Sequence, residues 1–233
     1  MAGVAAVALE RHIPFVPVPF GTRNHFARDV GLDPDDPVGA LAAFDGVERR
    51  VDVGVVDGRV FLNNVSLGLY ASLVHDPRHR TKNRLVALVR MLPAAVGHSR
   101  RPLDVSFDVD AHRERHRALV VLVGNNDYDV RTLADLGERA RLDEGRLHAY
   151  VIEAAARRTL LALLGRAAVG RLGGARGWAE YAAPSFGVES RRPRIHAALD
   201  GEPVVLPSRV EFESRPLALR VLIPRRNGSA ARG

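Results

Sequence analysis

The chain has 233 residues, 46% of them apolar, enough to bury a core in one large domain or two small ones and to argue against global disorder. Its 34 basic and 27 acidic residues leave a formal charge of +7, which favours anionic partners without choosing among nucleotides, lipid headgroups and nucleic acid. The absence of cysteine excludes a disulfide framework and a thiolate metal site, and no uninterrupted apolar stretch reaches the roughly 18 residues of a membrane-spanning helix.

The opening MAGVAAVALERHIPF is broken by Glu10, Arg11 and His12 and lacks a leading basic stretch, so it does not read as a secretory signal. Residues 2–11 predict the end of an alanine-rich helix, and Ile13 to Pro19 a short strand. After Phe20-Gly21-Thr22, the segment Asn24 to Val30 suits a second helix closed by Gly31. Asp33-Pro34-Asp35-Asp36-Pro37 is a turn with helix-start chemistry, and Val38 to Phe44 a short helix ending at Asp45-Gly46. We place a domain boundary there.

Beyond Arg49 the texture changes to short alternating segments. RRVDVGVV, Asp57-Gly58 and RVFLNNVSLG form a hairpin signal. Further strands are expected in LDVSFDVD, RALVVLVGNN, RLHAYVIEA, RIHAALDGEPVVL, RVEFESR and LALRVLIP, which together predict a β-sandwich or curved sheet. Two helical inserts, Lys82 to Val96 and Ala155 to Arg171, interrupt it, and residues 225–233 read as a polar tail.

Four motifs carry candidate chemistry. Around Gly21-Thr22-Arg23-Asn24, a glycine turn leads into a helix whose free N–H groups and dipole suit an anion, although Thr22 serves equally well as a plain helix cap. Asn63 and Asn64 either face a ligand or cap a turn and bond across strands. Leu142-Asp143-Glu144-Gly145-Arg146-Leu147 is an acidic glycine turn, offering either hard oxygen ligands for a cation or a solvated turn. Leu199-Asp200-Gly201-Glu202-Pro203 reads as a hairpin turn between two strands. His75 and His79 at i, i+4 lack a third ligand and flank Pro77, which argues against a metal site. Arg84 to Arg101, and Trp178 and Tyr181 beside Arg176, are candidate membrane contacts, with packing on the sheet as the default.

PFGTRNHFARDVGL resembles the proline-x-glycine-threonine-x-asparagine-x-phenylalanine-alanine-arginine segment of the diacylglycerol kinase catalytic family, with His25 where that family usually has an acidic residue. The resemblance implies an α/β remnant of an NAD-kinase-like nucleotide domain (1–46), a larger β-sandwich with helical inserts (47–224) and a flexible tail (225–233). It implies ATP contacts at Gly21, Thr22 and Asn24. It also implies a structural Mg²⁺ held by the carbonyls of Arg141 and Arg146 with the side chain of Glu144. In that family the leucine-aspartate-glycine-glutamate turn supplies the base, here Glu202, with Asp200 supporting it or binding magnesium. The implied activity is ATP-dependent phosphorylation of the hydroxyl of diacylglycerol or a similar lipid. The implied setting is the cytoplasmic face of a membrane; nucleic acid is not expected as a partner, and homodimerisation is compatible with the sequence. The family's glycine-glycine-aspartate-glycine-threonine phosphate loop does not occur in residues 1–233. The expectation is therefore an N-terminally truncated family member, and a catalytically inactive lipid-binding or regulatory β-domain is the alternative reading.

Overall fold

The computed structural model describes residues 1–21, 24–68, 102–109, 112–128, 139–168 and 171–225. The expected helix Lys82 to Val96, the His75/His79 pair, Thr22 and nearly all of the polar tail lie outside these residues.

The N-terminal segment begins with helix α1 (Ala2–Arg11), which buries Ala5 and Ala8 and ends at His12 in the left-handed conformation (φ 54°). Three prolines follow, at positions 14, 17 and 19. Because proline has no N–H to donate, the expected strand Ile13 to Pro19 does not form. It is reduced to one parallel bridge, Phe15 with Val221, in which Phe15 N–H donates to the Arg220 carbonyl at 3.1 Å and its carbonyl accepts from Leu222 at 3.0 Å. Helix α2 (His25–Asp29) is a single turn and a half, closed by Gly31 at φ 93° as expected. The segment Gly39–Asp45 is a 3₁₀ helix whose cap position is Val38, and the side chain of Asp36 just before it accepts the Gly39 N–H at 2.7 Å.

The remainder is antiparallel. Nine strands are described: β1 (Val47–Val56), β2 (Arg59–Phe61), β3 (Asn64–Gly68), β4 (Leu103–Val109), β5 (His112–Asn125), β6 (Leu147–Glu153), β7 (Trp178–Ala183), β8 (Ser185–Leu199) and β9 (Glu202–Ile223). They join in one sheet ordered β2-β1-β9-β8-β3-β5-β6-β7, and β4 pairs with β5 and β8. Strand β3 pairs with both β5 and β8, and so does β4. On β5 the register runs from Gly68 opposite Val120 to Leu103 opposite Ala118. The two strands therefore fill one gap end to end, as a single strand interrupted in sequence between Gly68 and Leu103.

Alternation along the strands sends one set of side chains inward. Phe61, Val65, Leu67, Phe107, Val121, Val151, Phe186, Leu206 and Phe212 belong to one continuous core, which links the β1–β2 flank of the sheet to β6. A second core joins α1, α2 and the 3₁₀ helix to the opposite sheet face through Phe15, Phe26, Val51, Val53, Leu62, Leu142 and Val221. The N-terminal segment is thus packed onto the sheet. Helix α3 (Arg157–Ala168), expected from periodicity, buries Leu160 and Leu163 against Leu119 and half-buried Trp178. Tyr181 hydrogen-bonds through its hydroxyl to His116 Nε2 at 2.6 Å. Packing accounts for both aromatic residues.

The pairing of β1 with β9 slips between Val51, opposite Leu219, and Val53, opposite Arg215. Asp52 sits at this irregularity, with Leu217 at φ 51° across from it. Its buried carboxylate accepts the Leu217 N–H at 2.7 Å and the Gly145 N–H at 2.7 Å. A backbone donor stranded by the bulge is thereby satisfied, and the loop before β6 is tied to the same point.

Candidate active site

The β8–β9 hairpin turns on Asp200 and Gly201, both with positive φ (49° and 87°), so that Leu199 faces Glu202. Asp200 does more than turn the chain. Its Oδ2 accepts the Leu62 N–H at 2.8 Å, and its Oδ1 accepts those of Asn63 and Asn64 at 2.8 and 3.1 Å. Its own N–H donates to the Asn64 carbonyl at 2.9 Å. Burial pushes the Asp200 carboxyl above the ordinary aspartate value, against the pull of the three N–H donors and of Arg139. Both oxygens are committed to the backbone between β2 and β3. Glu202, two residues on, is exposed, and among the described residues its carboxylate has no hydrogen-bond or ion-pair partner.

The loop that Asp200 grips is held from the other side by Arg139, whose side chain is wholly buried. Its NH1 donates to the carbonyls of Leu62 (2.6 Å) and Asn125 (3.0 Å), its NH2 to Asn63 Oδ1 (3.1 Å), and its Nε to Asp29 Oδ2 (2.9 Å). The guanidinium also lies over the Tyr128 ring, 5.3 Å from its centroid. Burial raises the Asp29 carboxyl even with Arg139 beside it. Tyr128, buried near Asp200 and Asp29, is pushed up to about 12, chiefly by burial. Asn64 reaches the Tyr128 hydroxyl at 3.4 Å. The side chains of Asn63 and Asn64 therefore bond within the fold, to Arg139 and Tyr128, rather than as a turn cap and a cross-strand pair.

Asp29 lies on α2, so the same network continues toward Gly21. There the cap position of α2 is Asn24, at φ 45°, rather than Thr22. Asn24 Nδ2 donates to the carbonyls of Pro19 (3.0 Å) and Pro34 (2.8 Å), closing the loop on both sides of the helix start. Its Oδ1 is buried without a partner among the described residues. Gly21 is exposed, and a side chain there would press on Asn24 Oδ1.

The acidic glycine turn is a separate corner. Gly145 (φ 66°) is pinned by Asp52, and Glu144 N–H donates to Asn126 Oδ1 at 3.0 Å. The Arg146 carbonyl accepts the Asn126 N–H at 3.0 Å, Glu144 Oε2 accepts the Asp127 N–H at 3.0 Å, and the Arg141 side chain turns to Asp143. A carbonyl with one lone pair used retains another, and Glu144 Oε1 is free of such a bond among the described residues, so the donor set still fits a hard cation.

Arg139 was not anticipated from sequence. It is one basic residue in a basic chain, in a stretch without periodicity, and only its burial distinguishes it.

Comparison with known proteins places these features in context. Residues 1–56 match the diacylglycerol kinase catalytic domain, and residues 74–223 match the YegS C-terminal NAD kinase β-sandwich-like domain. The chain is 31% identical over 113 residues to a diacylglycerol kinase of Bacillus subtilis (strain 168), an alignment covering 46% of this chain and 36% of that protein. It is 28% identical over 216 residues to a probable lipid kinase YegS-like of Pseudomonas aeruginosa (strain UCBPP-PA14), covering 89% of this chain and 67% of the relative. In fold it is similar to the crystal structure of a diacylglycerol kinase from Bacillus anthracis str. Sterne, with TM-score 0.59 at 17% identity, covering 88% of this chain and 65% of the other. A second structure from that organism gives TM-score 0.67 at 19% identity, covering 88% and 67%. The chain thus spans between about a third and two thirds of the length of these relatives.

Proposed function

The chain belongs to the diacylglycerol kinase and YegS family of lipid kinases, and on that premise we propose that it serves ATP-dependent phosphorylation of a lipid hydroxyl, with Glu202 as the general base. Diacylglycerol or a lipid like it is the acceptor. The observation that carries this reading is the division of labour in one turn: Asp200 spends both oxygens on three backbone N–H groups, which leaves the carboxylate of Glu202 unpartnered on an anchored hairpin.

In the reaction, Glu202 accepts the proton of the lipid hydroxyl as its oxygen bonds to the γ-phosphorus, and the bond to the β-phosphate oxygen breaks to release ADP. Asp200 acts as a positioning residue. Gly21, Thr22 and Asn24 bind the nucleotide: Gly21 allows close approach, Thr22 offers a hydroxyl, and Asn24 fixes the loop through Pro19 and Pro34. Magnesium, held by the carbonyls of Arg141 and Arg146 with Glu144, would supply positive charge that stiffens the turn before β6.

We assign residues 1–46 to the nucleotide side, as part of an NAD-kinase-like α/β unit, and 47–224 to a β-sandwich lipid-kinase domain. The Arg139 network is the tie between them. No helix among the described residues is long and apolar enough to cross a membrane, and the lipid is met by transient contact of a basic face at a bilayer. The test is transfer of labelled phosphate from ATP to diacylglycerol in mixed micelles. Binding to lipid vesicles without any transfer would favour the inactive lipid-binding alternative.

A further inference from the structure

At the open end of β5 and β6, away from Asp200 and Glu202 in sequence, three side chains of metal-ligating type converge. Asp127 follows β5, His148 lies on β6, and Glu180 lies on β7 opposite Tyr150. One ligand atom from each lies within 4.8 Å of the other two. The antiparallel register explains the meeting, since Glu180 and His148 are diagonal neighbours across the β6–β7 pair.

Two details separate this cluster from a chance meeting of surface acids. His148 Nδ1 is buried and has no hydrogen-bond partner among the described residues, while lying 3.5 Å from Asp127 Oδ1. A buried ring nitrogen without a partner is costly unless something binds it. Two donors about 3.4 Å apart are what tetrahedral ligation at about 2.1 Å requires. The outer groups are also supplied. His148 Nε2 faces Glu144 Oε2 at 3.6 Å, and the Tyr150 hydroxyl donates to Asp127 Oδ1 at 2.6 Å. Metal-bound histidines and carboxylates are commonly oriented by such partners. The Glu180 carboxylate has no partner among the described residues.

We propose that Asp127, His148 and Glu180 form a binding site for a divalent transition metal of the zinc class, through His148 Nδ1 and one oxygen of each carboxylate, with a water in the remaining position. An imidazole nitrogen selects such ions over magnesium and calcium, which take oxygen donors. The ligand set shares no residue with the Arg141–Arg146 turn, and the ion's place is structural, joining β5, β6 and β7.

The test uses the whole chain and Zn²⁺ alone, in equilibrium dialysis, with Co²⁺ as a spectroscopic substitute. The expected result is one tight Zn²⁺ per chain, tetrahedral Co²⁺ absorption bands that Zn²⁺ displaces and millimolar Mg²⁺ does not, and at least tenfold weaker binding in His148→Gln and in Glu180→Gln. Glu180 is exposed, so its variant folds whatever the fate of the histidine variant. Absence of stoichiometric binding, or binding unchanged in Glu180→Gln, overturns the proposal. Neither outcome touches the kinase reading, whose assay depends on Glu202.

Discussion

The Nε of Arg139 donates to Asp29 Oδ2 at 2.9 Å, joining a buried arginine before β6 to a buried aspartate on α2, 110 residues earlier in the chain. Because both side chains are out of water, the pair's net worth is small compared with the cost of breaking it. Arg139→Met leaves the buried Asp29 carboxyl with only the 3.4 Å contact to Arg28, and takes one donor each from the carbonyls of Leu62 and Asn125. The expected loss is about 3 to 5 kcal/mol in urea unfolding. Arg139→Met combined with Asp29→Leu recovers part of it, and a double-mutant cycle measures the coupling.

Asp200→Asn removes an acceptor from a carboxylate that serves three N–H groups. The expected cost is about 2 to 3 kcal/mol. Because burial raises the Asp200 pKa, the native state takes up this proton before the unfolded chain does. Wild-type stability relative to Asp200→Asn therefore increases as pH falls through the raised value toward the ordinary aspartate range. Chemical denaturation of both proteins from pH 7 to pH 4 checks the sign.

Tyr128 titrates at about 12, above its ordinary 10. The folded state therefore holds this proton when the unfolded chain has lost it, and stability falls as pH rises from about 10 to about 12. Tyr128→Phe removes that part of the alkaline slope, which denaturation at stepped alkaline pH detects.

Gly54 lies against the ring of Phe61, and any Cβ at that position would overlap it. Gly54→Ala is expected to cost about 1 to 3 kcal/mol by overpacking the β1–β2 hairpin. Gly58, with φ 71° in the turn and nothing near it, tests a different cause. Its alanine variant strains only the backbone.

Local chemistry made much of this fold legible in the sequence. The two hairpins at Asp57-Gly58 and Asp200-Gly201, the end of α2 at Gly31 and the leucine stripe of α3 depend on neighbours in the chain, and all appear where the residues predict them. What was not legible depends on distant partners. Strand β9 runs unbroken through Pro207 and Pro216, although its sequence reads as three pieces, because the bulge at Pro216–Leu217 on β9 is held by the Asp52 carboxylate of β1. Strand β7 and the first half of β8 are bounded by Gly177 and joined through Pro184, yet the alternation between these signals is too weak to read as strand. The site shows the same division. Asp200 and Glu202 stood out as a motif, whereas Arg139 is recognisable only once the fold brings Asp29, Leu62, Asn63 and Asn125 around it.

The assignment of Glu202 is tested most directly by replacing its carboxylate with an isosteric amide. The measurement is phosphoryl transfer from ATP to diacylglycerol by Glu202→Gln and by wild type. Because Glu202 is exposed and unpartnered among the described residues, its urea midpoint should not change. The rate is expected to fall by about 10²- to 10⁴-fold, the usual contribution of a general base. A folded Glu202→Gln variant that transfers phosphate at the wild-type rate would contradict the account.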